Sequence, residues 1–197
     1  MATLVFGIGT VIGVVLIALL VLSLLVPGLR IWPTPGDGSW QGYVFWPLFR
    51  SLNVLCFVAA VVDRLPYLGL PLAVRLLALA LLVGAVATFV YAFRVLGRDN
   101  SYCATDGLVT AGIYQWSRNP QNAMLIVVYA CLAVAADSVS AFVLCGAMVT
   151  VYWLMVMCEE PWLAEAYGET YRRYCREVPR FFNVRRAIGV ARNPASG

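Results

Sequence analysis

Two short polar segments carry the residues of this chain that are able to do chemistry. The first runs from Thr105-Asp106-Gly107-Leu108-Val109 through Tyr114 to Ser117-Arg118-Asn119-Pro120-Gln121-Asn122, and the second is Glu159-Glu160-Pro161. Pro120 suits the first turn of a helix, and the free backbone amides of a helix N-terminus favour an anionic group. The carboxylate pair has the opposite character, since carboxylates bind ammonium groups and hydroxyls. The chain has no His, and its 14 basic residues are all Arg. That excludes a histidine base, a histidine metal ligand and a Ser-His-Asp triad. Six cysteines contain no CxxC pair, so neither zinc nor a redox motif is signalled. Cys56, Cys131, Cys145 and Cys158 lie in or beside apolar runs, Cys103 and Cys175 in polar segments. All six are expected to be free thiols.

The elements that must position these segments are membrane helices. Of 197 residues, 62% are hydrophobic and 12% charged, against about 45–50% and about 25% in a soluble domain. The fold class is therefore all-α and integral to the membrane. Apolar runs at 4–26, 43–62, 70–93, 123–136 and 139–158 predict about five transmembrane helices. No Arg precedes Arg30, and Val26-Pro27-Gly28 is a poor cleavage site, so the first run reads as a retained helix. Its Gly9 and Gly13 form a GxxxG spacing suited to close helix packing. Residues 27–42 form a turn-rich loop, around which Trp32, Trp40, Tyr43 and Trp46 are expected to make an aromatic belt at the interface. Asp137-Ser138 is a tight hinge, so the fourth and fifth helices should pair antiparallel and bring both polar segments to one rim.

With five spans, Arg30, Arg94, Arg98, Arg118 and all seven tail arginines fall on one side, and Arg64 alone falls in a loop on the other. The positive-inside rule then places the N-terminus outside and the C-terminus in the cytoplasm. Two arginines interrupt spans. Arg75, near a helix start, is expected to snorkel. Arg50, one turn from Asn53, either lines a cavity or pairs structurally. From Glu159 onward the composition changes, with 7 Arg and 5 Glu in the last 39 residues. Leu163, Tyr167, Tyr171, Tyr174 and Val178 recur at helical spacing, with Gly168 expected to divide that stretch into two amphipathic cytosolic helices. Glu169–Arg173 and Arg173–Glu177 are expected i,i+4 pairs. Three parts result: 1–93 with three helices, 94–182 as a core, and 183–197 as a flexible basic tail.

The segment Gly107-Leu108-Val109-Thr110-Ala111-Gly112-Ile113-Tyr114 followed by Ser117-Arg118-Asn119-Pro120 resembles the GLVxxGxY…RHPxY motif of the isoprenylcysteine carboxyl methyltransferase and phospholipid methyltransferase family. Glu159-Glu160-Pro161-Trp162-Leu163, then Tyr167-Gly168-Glu169-Thr170-Tyr171, Tyr174 and Val178-Pro179-Arg180, resembles that family's EExxL…FGxxYxxYxxxVPR ending. The resemblance spans about residues 94–182. It implies a small membrane methyltransferase using S-adenosylmethionine and a lipophilic acceptor. It implies that Asp106, Gly107, Leu108, Val109, Tyr114, Asn119, Pro120, Gln121, Asn122, Glu159 and Tyr171 bind the cofactor, with Tyr174 packing over it. Arg118, Glu159 and Glu160 would be catalytic, Glu160 as a candidate base. Asn119 stands where the motif has His and Asn122 where it has Tyr.

Methyl transfer by in-line displacement needs positioning and exclusion of water more than a proton relay, so the lack of histidine does not oppose it. The expected partners are the lipid bilayer and a lipophilic substrate, with neither nucleic acid nor metal, and the expected location is a bacterial inner membrane. Two other readings stand beside this one: an NADPH-dependent enzyme of sterol-reductase type, which shares a related C-terminal pattern, and a non-catalytic membrane protein that keeps the fold.

Overall fold

Asp137 and Ser138 reverse the chain between two helices, and the rest of the architecture is organised around that hairpin. The computed structural model describes residues 1–26, 28–36, 38–97 and 107–182, and no strand occurs among them. In chain order the helices are α1 (Ala2–Leu25), α2 (Trp40–Val62), α3 (Leu72–Leu96), a short 3-10 helix (Gly112–Gln115), α4 (Pro120–Ala136) and α5 (Val139–Glu177). α5 is the central element, contacted by α1, α2 and α4, while α3 packs on α4. Helices α1, α2, α3 and α5 are long and apolar enough to cross a membrane. The apolar stretch of α5 ends at Cys158, so Glu159 lies beyond the span.

Small residues set the closest helix contact. Gly9 and Gly13 are buried on α1, and a Cβ at Gly9 would lie 2.7 Å from Leu144 Cδ1 of α5. The GxxxG spacing is therefore the α1–α5 seam. α4 is the short member of the bundle, with 17 residues, or about 25 Å against a hydrocarbon core of about 30 Å. Counted back from the hinge, Pro120 lies level with Met155, one turn short of Glu159. The start of α4 is thus recessed, and a cleft opens above it.

The hinge rim is closed by polar groups that satisfy one another. Asp137 adopts the left-handed conformation (φ 52°, ψ 45°) and its side chain accepts the Leu68 and Leu70 amides at 2.9 and 2.8 Å. Its carbonyl accepts the Tyr67 amide at 2.8 Å. Ser138 caps α5 by accepting the Ala141 amide, and Asp63 accepts the Ser140 amide at 3.2 Å. Arg75, in the first turn of α3, turns to the hinge rim. Its Nε donates to the Ala135 carbonyl at 2.8 Å, because the last carbonyls of α4 lack helical donors and carry the negative end of the helix dipole.

Beyond the span, α5 divides at Gly168, as expected. It continues through Pro161 and breaks once, at Gly168, whose φ of 55° and ψ of −130° are glycine conformations. Glu169 pairs with Arg176 at 2.7 Å and Arg172 at 3.9 Å rather than with Arg173. Starting afresh after the break, the last helix brings positions three and seven residues on to Glu169's side. The expected apolar stripe forms: Tyr171, Tyr174 and Val178 are buried together, with Leu163, Tyr167 and Leu108 packed against them.

Candidate functional site

The two polar segments meet at the rim opposite the hinge. Arg118 donates from its Nη2 to Glu160 Oε1 at 2.8 Å, and both side chains are about nine-tenths buried. The other carboxylate oxygen of Glu160 accepts Arg180 Nη2 at 2.6 Å and Nε at 3.0 Å. Backbone bonds run alongside. The Arg118 amide donates to the Pro179 carbonyl at 3.0 Å. Arg118 Nη1 donates to the Cys175 carbonyl, and Ser117 Oγ and Asn119 Nδ2 donate to the Arg180 carbonyl. The chain after α5 is thereby clasped to the segment before α4.

Under this clasp lies a cleft of two compartments. The first, about 60 Å³, is walled by Gly107, Leu108, Val109, Trp162, Leu163, Tyr167, Tyr171 and Tyr174. The second, about 210 Å³, is walled by Trp32, Trp46, Phe49, Phe89, Phe93, Gln121, Asn122, Leu125, Tyr152 and Met155. Leu96, Tyr114, Arg118, Asn119 and Glu159 line both and form the neck between them. Tyr114 is fixed from two sides: its hydroxyl accepts Gln121 Nε2 at 3.1 Å, and its carbonyl accepts the Tyr174 hydroxyl. Burial pushes the Tyr114, Tyr171 and Tyr174 hydroxyls up from their ordinary pKa, so all three remain protonated donors at neutral pH.

Glu159 and Glu160 are neighbours in sequence but about 100° apart around the helix. Glu159 therefore faces the neck while Glu160 faces the clasp. Burial pushes the Glu159 carboxyl up to about 7; the nearby Trp32 indole acts against that and the Glu160 charge adds to it. Trp32 Nε1 is close without reaching hydrogen-bond geometry. It and Arg118 Nε are the buried side-chain polar atoms without a partner among the described residues. Both belong to residues lining the cleft.

Residues 73–170 match the model of the phospholipid methyltransferase family. Over that segment the chain belongs to this family. Neither a curated protein nor a solved structure matches the chain. The family segment contains the start of α4, Glu159 and Tyr167, so the neck of the cleft lies within it, while Tyr171 and Tyr174 lie just beyond its end.

Of the residues singled out in the sequence, Gly107, Leu108, Val109, Tyr114, Arg118, Asn119, Gln121, Asn122, Glu159 and Tyr171 all line the cleft. Pro120 is buried beneath it as the first residue of α4. Glu160 is not among the lining residues, and both its oxygens are held by arginines. Asp106, Arg98, Cys103 and the basic tail 183–197 lie outside the described residues. Asn119 is 8% exposed and uses its amide to hold the Arg180 carbonyl, so the position where the motif has His makes a structural bond here.

Sequence reasoning missed most of the aromatic compartment. Trp32 was expected in an interfacial belt, yet it is 4% exposed and packs on Phe45 and Trp46 with ring centroids 5.0 and 5.7 Å away. Trp40 and Tyr43 are the exposed members of that group. Phe89 and Phe93 of α3, four residues apart on one helix face, are a signal that sequence alone could have offered.

Proposed function

We infer that the chain is an S-adenosylmethionine-dependent methyltransferase acting on a lipophilic acceptor at the cytoplasmic face of the membrane. One observation carries this reading: the cleft pairs a tyrosine-walled compartment beyond the span with an aromatic compartment between the helices, and the two share a neck of Arg118, Tyr114, Asn119 and Glu159. A soluble cofactor and a membrane-borne acceptor need such a junction.

The residues present fit the cofactor. Glu159 offers a carboxylate for an ammonium group or for ribose hydroxyls. Arg118 Nε and Trp32 Nε1 are buried donors without a hydrogen-bond partner among the described residues. The tyrosine and tryptophan faces suit a positively charged group. When bound, the cofactor supplies a methyl group on a sulfonium. The chain's own residues then position and exclude water. Arg118, held by Glu160 and the Cys175 carbonyl, orients what lies in the neck. Trp32, Phe49, Phe93 and Tyr152 keep water out of the larger compartment. Glu159, titrating near 7, is the lining group able to take a proton onto a carboxylate oxygen from an acceptor that must lose one. Glu160 acts as a positioning residue through Arg118 and Arg180. The distribution of arginines supports a cytoplasmic site rim and an external hinge rim, and residues 94–182 form the functional core.

Calorimetry on the full chain in lipid nanodiscs tests this. S-adenosylmethionine or its demethylated product binds at micromolar concentration, and NADPH does not. Binding of NADPH alone overturns the methyltransferase reading in favour of a reductase, and binding of none of them points to a non-catalytic protein. Labelled cofactor incubated with lipid extract then identifies the acceptor.

A further inference from the structure

A second opening lies beside the aromatic compartment. It is a groove of about 470 Å³ along the first turns of α2, walled by Thr34, Ser39, Tyr43, Trp46 and Arg50. Trp46 lines this groove and the aromatic compartment alike, so the two are separated by one indole ring.

Arg50 is the unusual group in it. It sits about 15 Å along α2, a depth at which a charged side chain needs a partner or a cavity. Side chains on a helix lean toward its N-terminus, and the Arg50 guanidinium accordingly lies over the Trp46 ring, one turn earlier, at 5.4 Å from its centroid. Asn53, the expected neighbour, is engaged elsewhere: its amide nitrogen donates to the Phe49 carbonyl at 2.7 Å and its oxygen accepts the Tyr129 hydroxyl. No carboxylate pairs with Arg50 among the described residues. Arg75, also within a span, has its charge met by the α4 carbonyls. Among the described residues, Arg50 meets a ring face and an open groove.

The groove carries further polar groups. Pro47 lies inside α2 and has no N–H, so the Tyr43 carbonyl lacks its helical donor and remains an acceptor. Ser39 Oγ accepts the Gly42 amide, which leaves its own hydroxyl proton to donate. Arg50 and Tyr43 are exposed on the flank of the bundle, the side from which a lipid would approach.

We propose that this groove is a subsite for the anionic headgroup of a membrane lipid, with Arg50 as its recognition residue, and that the adjoining polar atom of the same lipid passes Trp46 into the aromatic compartment. Arg50 then selects acceptors whose anion and acceptor atom are about a ring's width apart. The inference rests on the methyltransferase reading only for the word acceptor; the anion site stands on its own geometry.

The test uses the full chain in detergent with three probes: dihexanoyl phosphatidic acid, uncharged dihexanoylglycerol and inorganic phosphate. The wild-type chain binds the phosphatidic acid at least ~10-fold more tightly than the glycerol. Arg50→Gln abolishes that preference, Arg50→Lys retains it, and Arg64→Gln, at an exposed arginine of the hinge rim, leaves it unchanged. Inorganic phosphate does not compete. An undiminished preference in Arg50→Gln overturns the proposal, as does a loss in Arg50→Lys equal to that in Arg50→Gln. Competition by inorganic phosphate as strong as by the lipid assigns the groove to free phosphate and overturns the headgroup. Binding of S-adenosylmethionine to the same samples separates the two readings. Cofactor binding without lipid preference removes the subsite alone, and lipid preference without cofactor binding removes the methyltransferase reading alone.

Discussion

The two rims of the bundle are built from the same residue types and use them in opposite ways. At the hinge rim, Asp137, Asp63 and Arg75 meet backbone groups within hydrogen-bond distance. At the site rim, Glu159 is partly buried with a raised pKa, and two buried donors, Trp32 Nε1 and Arg118 Nε, have no hydrogen-bond partner among the described residues. Leaving a buried donor unpaired costs about 1–3 kcal/mol. Outside the clasp, the site rim leaves these two donors open among the described residues, as the proposed ligand site requires. The hinge rim holds the hairpin shut, and on the proposed function the site rim is completed by the bound cofactor.

Paired substitutions at the two arginines break this comparison most forcefully. Arg118→Ala should lower affinity for S-adenosylmethionine, and any methyl transfer, by at least ~100-fold, which is about 2.7 kcal/mol. It also removes the bonds to Glu160 and to the Cys175 carbonyl, so stability falls by about 1–3 kcal/mol. Arg75→Ala should cost about 1–2 kcal/mol of stability by uncovering the α4 carbonyls and leave affinity unchanged in the folded protein. Thermal unfolding and calorimetry on both variants check this. Equal loss of affinity in the two would mean that the rims do not differ in function.

The parts of this contrast that were legible in sequence are those carried by local pattern. The spans follow from unbroken apolar runs, the hairpin from the two-residue interval at Asp137-Ser138, and the neck from Arg118 and Glu159 lying at the ends of adjoining helices. What sequence could not supply was direction. Glu159 and Glu160 are equivalent on paper, and only the helical phase of α5 turns one to the cleft and the other to Arg180. Trp32, Phe89, Phe93 and Tyr152 sit in or near apolar runs, where a cavity wall, a core residue and a lipid-facing residue have the same composition. The partners of Arg75 are backbone carbonyls 60 residues away, which no periodicity encodes.

A second pair, the carboxylates, sharpens the comparison by pH. Glu159→Gln keeps the shape of the side chain and removes its charge, so cofactor affinity should fall about 10-fold, or about 1.4 kcal/mol, with little change in Tm. In the wild-type chain, affinity should weaken as pH falls through about 7, because protonation removes the charge that meets a cation; in Glu159→Gln that dependence should vanish. Asp137 moves the other way. Burial opposes its ionised form, but the Leu68 and Leu70 amides and the Arg75 charge outweigh burial and hold its carboxyl below the usual range. A carboxyl lowered in the folded state contributes stability above its unfolded pKa, and that stability is lost as pH falls through the folded value. The hinge rim should therefore loosen only in acid, and Asp137→Asn should lower Tm by several degrees without moving affinity. Calorimetric titrations between pH 6 and 8, with melts extended into acid, separate the two carboxylates.

The smallest effect expected is also the most specific to the open donors. Trp32→Phe removes the indole N–H and keeps an aromatic ring against Phe45 and Trp46. At a satisfied position such a change loses both a hydrogen bond and packing. At Trp32 no hydrogen bond to a described residue is lost, and relief of an unpaired donor offsets the smaller ring. Tm should therefore stay within a few degrees of wild type while affinity for the ligand that fills the neck weakens about 3-fold, or about 0.6 kcal/mol. If the melt falls sharply and affinity in the surviving folded protein is unchanged, Trp32 belongs with the hinge residues as packing, and the open donor at the site rim is not there to meet a ligand.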